Sequence, residues 1–107
     1  MSLVVQINAL SELNIGRNGI GDEGIQLLAH VESLSQLRRL YIDDNGIGEK
    51  GAAYLAKSPF LTKLTHLSLA FNKIKGEGAQ HLATSCNFTG LIHLELQSNE
   101  VGPGGCV

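Results

Sequence analysis

The residues of this chain best suited to chemistry are two histidines and a glutamate in its second half. His66 and His93 are separated by 93−66 = 27 residues, and Glu95 follows shortly after the second histidine. Two imidazoles and a carboxylate could hold a zinc ion. The same spacing arises without any metal when a structural repeat places equivalent residues side by side, and it fixes no third close ligand. We therefore predict neither a metal nor a cofactor.

Catalytic patterns of other kinds are also missing from the sequence. The glycines of Gly46-Ile47-Gly48 recur with the repeat, as turn residues would, and they lack the spacing of a phosphate-binding loop. Ser85 and Cys86 have no histidine that any pattern places beside them. The sequence therefore predicts a protein that is not an enzyme.

The repeat organises the whole chain. Its asparagines are Asn18, Asn45, Asn72 and Asn99, and the intervals 45−18, 72−45 and 99−72 all equal 27. Leucines keep the same interval at Leu10, Leu37, Leu64 and Leu91, and again at Leu13, Leu40, Leu67 and Leu94. Self-similarity at one fixed period is the signature of a solenoid. We predict a single domain over 1–107, with the tail of a preceding repeat (1–9), full repeats at 10–36, 37–63 and 64–90, and a truncated repeat at 91–107.

Each repeat shows how it should fold. In the third repeat Leu67 and Leu69 alternate with polar or small residues, which predicts a strand with its leucines inward and the residues between them outward. A short amphipathic helix should follow each strand segment. The asparagines should stack as a ladder that pairs buried backbone groups, because the amide side chain is both donor and acceptor. The prediction is an α/β solenoid with a parallel sheet on its concave side and short helices on its convex side.

The repeat resembles a known family. Segments such as LYIDDNGIGEKGAAYLA and LSLAFNKIKGEGAQHLA resemble the ribonuclease-inhibitor-like class of leucine-rich repeats. They are also similar to the repeats of NOD-like receptors, Ran GTPase-activating proteins and the bacterial effectors called GALA proteins. The resemblance implies a right-handed horseshoe that grips other proteins, usually in the cytoplasm, and it supplies no catalytic residue.

Function should therefore reside on the outward residues of the strands. We predict a non-catalytic scaffold that binds a partner protein through this concave surface. The alternative is a fragment of a larger receptor, GTPase-activating protein or bacterial effector whose activity lies elsewhere. Tyrosine, arginine and exposed phenylalanine tend to anchor interfaces. The predicted contact patch consists of Arg39, Tyr41, Asp43, Asp44, His66, Phe71 and His93.

Composition narrows the other options. The net charge is −2, and Arg38 and Arg39 are followed closely by Asp43 and Asp44, so neither a nucleic acid nor a membrane is an expected partner. The 2 cysteines are too few for a disulfide framework, which favours buried thiols and a reduced, intracellular setting. Together with the family resemblance, this predicts a cytoplasmic location in the producing cell, or in a host if the protein is a secreted effector. An uncapped last repeat would expose apolar surface, so we expect weak self-association.

Overall fold

The computed structural model describes residues 11–99. This part of the chain forms the strands β1 (Glu12–Asn14), β2 (Arg39–Tyr41), β3 (His66–Ser68) and β4 (His93–Glu95). Between them lie the helices α1 (Gly21–Leu28), α2 (Glu49–Ala56) and α3 (Lys75–Ala83), and short 3-10 helices at Glu32–Leu34 and Cys86–Phe88. The predicted preceding repeat (1–9), Leu10 and the remainder of the fourth repeat after Asn99 lie outside the described residues.

The four strands form one parallel sheet in the order β1-β2-β3-β4. Leu13 pairs in register with Leu40, Leu40 with Leu67, and Leu67 with Leu94. Because each strand enters the sheet after the same 27-residue excursion, equivalent residues come to lie beside one another. A parallel pair needs such a crossover, and here each crossover contains a helix. The predicted fold class, an α/β solenoid segment, is confirmed.

The core lies between the sheet and the helices. Leu40 and Leu67 are at most 1% exposed, and Leu55 of α2 and Ile74 before α3 are fully buried among them. Apolar residues after the strands, such as Ile42, Ile47 and Leu69, complete this cluster. Burial of apolar surface is the main favourable contribution to folding, so the repeated leucines and isoleucines determine how the coils stack.

The burial of some residues differs from the prediction. Leu94 shares the leucine register but is 38% exposed, because β4 is an edge of the described sheet and has a strand neighbour on one side only. The prediction that Cys86 is buried is wrong. Cys86 is exposed at the start of the second 3-10 helix, because Phe88 takes the core position there. Ser68 and Ala70 were expected to face outward, yet both are buried, at 3% and 2% exposure. Cys106 lies outside the described residues.

Candidate functional site

The sheet presents two rows of side chains away from the helices. Successive residues of a strand point to opposite faces, so the neighbours of each buried leucine share the other face. Strand pairing places Glu12, Arg39, His66 and His93 in one row, and Asn14, Tyr41, Ser68 and Glu95 in the next. We call these two rows, together with Arg17, Asp43, Asp44 and Phe71 in the loops that follow the strands, the free sheet face. It is the predicted concave surface.

The two histidines of the first row form a stacked pair. The ring centroids of His66 and His93 are 5.2 Å apart, and the ring planes differ by 11°. The Nδ1 atom of His66 lies 2.9 Å from the hydroxyl of Thr65, which holds that ring in place. Within residues 11–99, no group of three or more histidine, cysteine or acidic side chains is arranged to hold a metal ion. The two histidines therefore form an aromatic stack across neighbouring strands.

Ser68, in the second row, lies between the carboxylates of Asp43 and Glu95. Its Oγ is 2.5 Å from Oδ1 of Asp43 and 3.2 Å from Oε1 of Glu95. The same Asp43 oxygen also accepts the backbone N–H of Ala70 at 3.2 Å. These contacts explain why Ser68 is buried on a face that the strand pattern directs outward: acidic side chains from both neighbouring repeats cover it.

Each arginine of the free sheet face has an acidic neighbour. Arg39 Nη1 is 3.7 Å from Oε1 of Glu12, and Arg17 Nε is 3.9 Å from Oδ2 of Asp44. All four side chains are more than half exposed. Exposed ion pairs at such distances add little to the free energy of unfolding, so their main effect here is to balance charge on the surface.

The aromatic residues of the free sheet face differ in exposure. Tyr41 is half-buried and lines a shallow depression of about 70 Å³, together with His66, Leu67, Ser68, His93 and Glu95. Phe71 is 58% exposed, in the loop after β3. Its backbone is left-handed, with φ of 59°, as is that of the equivalent Asp44 at 53°. This conformation costs an L-residue roughly 1–2 kcal/mol and is unusual for a bulky side chain.

The structure thus brings part of the predicted contact patch together and spreads the remainder along the same face. Tyr41, His66 and His93 share the depression. Arg39 lies beside Glu12 at the other end of the first row, and Asp43 reaches toward Ser68. Asp44 and Phe71 occupy equivalent loop positions in successive repeats.

The asparagines lie behind this face and pair the backbone of neighbouring repeats. Oδ1 of Asn72 accepts the N–H groups of Asn45 at 2.8 Å and Ile47 at 3.1 Å. Its Nδ2 donates to the carbonyl oxygens of Ile42 and Leu69 at 3.2 and 2.9 Å. Asn45 repeats this pattern toward the first repeat, and the Oδ1 atom of Asn99 accepts the N–H of Ile74. The four asparagines therefore stack as a ladder, with Asn18 as its exposed end.

A second ladder of side chains was not predicted. Ser58 and Ser85, again 27 residues apart, donate their hydroxyl protons to the carbonyl oxygens of Ala29 and Ala56 in the preceding repeat. Asn87 reinforces it by donating to the carbonyl oxygen of Ser58 at 2.6 Å. The signal that could have revealed it was the repetition of serine at one position, two residues after the ends of α2 and α3.

Asp22 makes another contact between repeats. Its Oδ1 accepts the N–H groups of Gly48 at 2.7 Å and Gly51 at 2.9 Å, at the start of α2. The first N–H groups of a helix have no partner within it. A carboxylate of one repeat thus caps the helix of the next. The negative charge near the helix start was visible in the sequence, but the helix that it serves was not.

The stacked 27-residue coils and their asparagine ladder have a counterpart among known families. A family model described as Leucine Rich repeat matches residues 8–29, 33–56 and 60–83, which is more than half of the chain. The chain belongs to the leucine-rich repeat family. No curated protein matches it.

Membership in the leucine-rich repeat family limits the functions to consider. Leucine-rich repeats commonly mediate protein–protein interaction, and they are generally non-catalytic scaffolds. None of the helices within residues 11–99 has the length and apolar character that a membrane span requires. The free sheet face is thus the candidate functional site of this leucine-rich repeat segment.

Proposed function

We propose that this chain is a non-catalytic scaffold that binds a partner protein through its free sheet face. The observation that carries the proposal is the group of Tyr41, His66 and His93 around one depression, with Phe71 exposed in the loop after β3. Aromatic residues are enriched at the centres of interfaces, where they contribute much of the binding free energy. The proposed contact patch is Arg39, Tyr41, Asp43, Asp44, His66, Phe71 and His93.

The way these residues are held supports the proposal. A binding site gains affinity when its residues are already ordered before the partner arrives. The strands that carry Tyr41 and His66 pair in register, and the Asn72 side chain pairs the loops that follow them. Neither of the two arginines on the free sheet face is free to follow a phosphate backbone, because each has a carboxylate beside it. This arrangement favours a protein partner over a nucleic acid.

Affinity capture from a cytosolic extract tests the proposed site. The variant that carries both Tyr41→Ala and Phe71→Ala should retain less than about a tenth of the partner, because truncation of an anchor at the centre of an interface costs about 1 kcal/mol or more. The matched control is the double variant Leu27→Ala and Val31→Ala, which removes exposed apolar side chains on the helix side. Capture that survives the first pair and is lost with the second would place binding on the helices.

The more detailed assignments rest on sequence resemblance. We propose that the repeats belong to the ribonuclease-inhibitor-like class and that the protein is located in the cytoplasm.

We also propose weak self-association through β4, where Ile92 and Leu94 are 74% and 38% exposed. Sedimentation velocity should show a concentration-dependent shift that Ile92→Lys reduces and that Leu27→Lys, an equally exposed residue on α1, leaves unchanged. A concentration-independent monomer would contradict self-association and leave partner binding untouched.

A further inference from the structure

We infer that the free sheet face receives a basic segment of its partner, with one lysine or arginine side chain seated between Tyr41, Asp43 and Glu95. This inference rests on the proposed function and adds the chemistry of the partner to it. Three features of the face support it: its charge balance, the hydrogen-bonding capacity around Ser68, and the position of its aromatic rings.

The charge balance of the free sheet face is negative. Its carboxylates are Glu12, Asp43, Asp44 and Glu95, and its guanidinium groups are Arg17 and Arg39. Each guanidinium group lies beside one carboxylate, Arg39 beside Glu12 and Arg17 beside Asp44. Within the described residues, Asp43 and Glu95 form no ion pair. The charge that remains for a partner to balance is therefore concentrated on these two side chains.

The hydrogen bonds around Ser68 reach the same two carboxylates. Oxygen atoms of Asp43 and Glu95 both lie within hydrogen-bond distance of the Ser68 hydroxyl. A serine hydroxyl has one proton, and ionised carboxylates are acceptors only. The single proton of Ser68 therefore serves two carboxylates, and the contact with Glu95 is the longer of the two. An added donor with a positive charge would form a charge-assisted hydrogen bond with Glu95 and reduce the repulsion between the two carboxylates.

The surroundings of Glu95 suit the head of one basic side chain. Glu95 shares its depression with Tyr41 and the stacked histidines, and the volume of about 70 Å³ suits an ammonium or guanidinium group better than a folded element. Phe71 exposes its side chain on the same face. Aromatic faces attract lysine and arginine cations at close range. A basic side chain could therefore contact a carboxylate and a ring together.

Nuclear magnetic resonance titration of the ¹⁵N-labelled chain tests the inference. The probes are a hexalysine peptide and a hexaglutamate peptide, which have the same length and opposite charge. Hexalysine should shift the backbone amide resonances of Ser68, His93 and Glu95, and hexaglutamate should leave them in place. Selective shifts with hexaglutamate, or none with hexalysine, would overturn the inference without any variant being needed.

Two matched variants localise the interaction. Glu95→Gln should raise the Kd for hexalysine roughly three- to tenfold, because it removes one charge-assisted contact. Glu77→Gln removes the same charge from an exposed position of α3 and should leave the Kd within about twofold of the original value. Equal effects of both variants would mean attraction to the overall charge, and the inference would fail. The capture experiment with Tyr41 and Phe71 would still decide the proposed function, since it does not depend on the partner's charge.

Discussion

The asparagine ladder and the free sheet face are built on the same strands and treat polar groups in opposite ways. Asn45, Asn72 and Asn99 are at most 5% exposed, and both ends of the Asn45 and Asn72 amides have hydrogen-bond partners in the described residues. On the free sheet face, carboxylates outnumber arginines, one hydroxyl proton serves two acceptors, and an aromatic ring is exposed on a left-handed backbone. The polar groups of the asparagine ladder thus find their hydrogen-bond partners within the fold, whereas those of the free sheet face leave hydrogen-bonding capacity and negative charge for a partner.

This difference follows from what repetition can and cannot supply. A ladder needs the same residue in every repeat, because Asn45, Asn72 and Asn99 each accept from the backbone of the repeat before. A recognition surface needs different residues in successive repeats, as in the row Asn14, Tyr41, Ser68 and Glu95. We therefore expect substitutions in the repeated positions to change stability and substitutions in the variable positions to change binding.

The largest effect should come from the leucine register beneath the free sheet face. Leu67→Ala should lower the free energy of unfolding by about 4 kcal/mol, because Leu67 is 1% exposed and its loss leaves a cavity between sheet and helices. Leu94→Ala is the matched control in the same register. It should cost only about 1 kcal/mol, since Leu94 is 38% exposed. Urea denaturation measures both values, and equal losses would show that β4 is packed as tightly as β3.

A slightly smaller effect is expected within the ladder. Asn72→Ala should lower the free energy of unfolding by about 3 kcal/mol, because it leaves the buried N–H groups of Asn45 and Ile47 without an acceptor. Asn18→Ala should cost less than about 1 kcal/mol, since Asn18 is exposed and water can replace its contacts. Urea denaturation of the two variants gives the comparison. A loss at Asn18 as large as that at Asn72 would mean that burial does not set the strength of the ladder.

The ladder and the core could be predicted from the sequence because each depends on one periodic pattern. Spacing of 27 residues placed the four asparagines and the leucine register, and alternation predicted which strand residues leave the core. The burial of Ser68 could not be predicted in this way. It depends on Asp43, which stands at a different repeat position, as well as on Glu95 at the same position one repeat later. Contacts between unlike positions of neighbouring repeats carry no periodic signal.

The same limit applies to the cap formed by Asp22 and to the backbone of Phe71. Asp22 is close in sequence to the start of α1, but its Oδ1 accepts two N–H groups at the start of α2. The sequence does not indicate the left-handed backbone at Phe71, because glycine and asparagine are the residue types that usually mark such a position. The repeated backbone of the stack imposes that conformation, and the side chain that happens to stand there must adopt it.

The smallest predicted effect concerns this cost at Phe71. Phe71→Asn should be more stable than Phe71→Ala by about 0.5–1 kcal/mol, because both variants remove the ring and only asparagine adopts the left-handed conformation easily. Urea denaturation measures the difference, and partner capture should be weakened equally in both. Equal stabilities would show that the backbone carries no strain at this position. If Phe71→Asn instead lost more than about 1 kcal/mol relative to the original chain, the ring would belong to the packing of the fold, and its exposure would no longer favour a role in recognition.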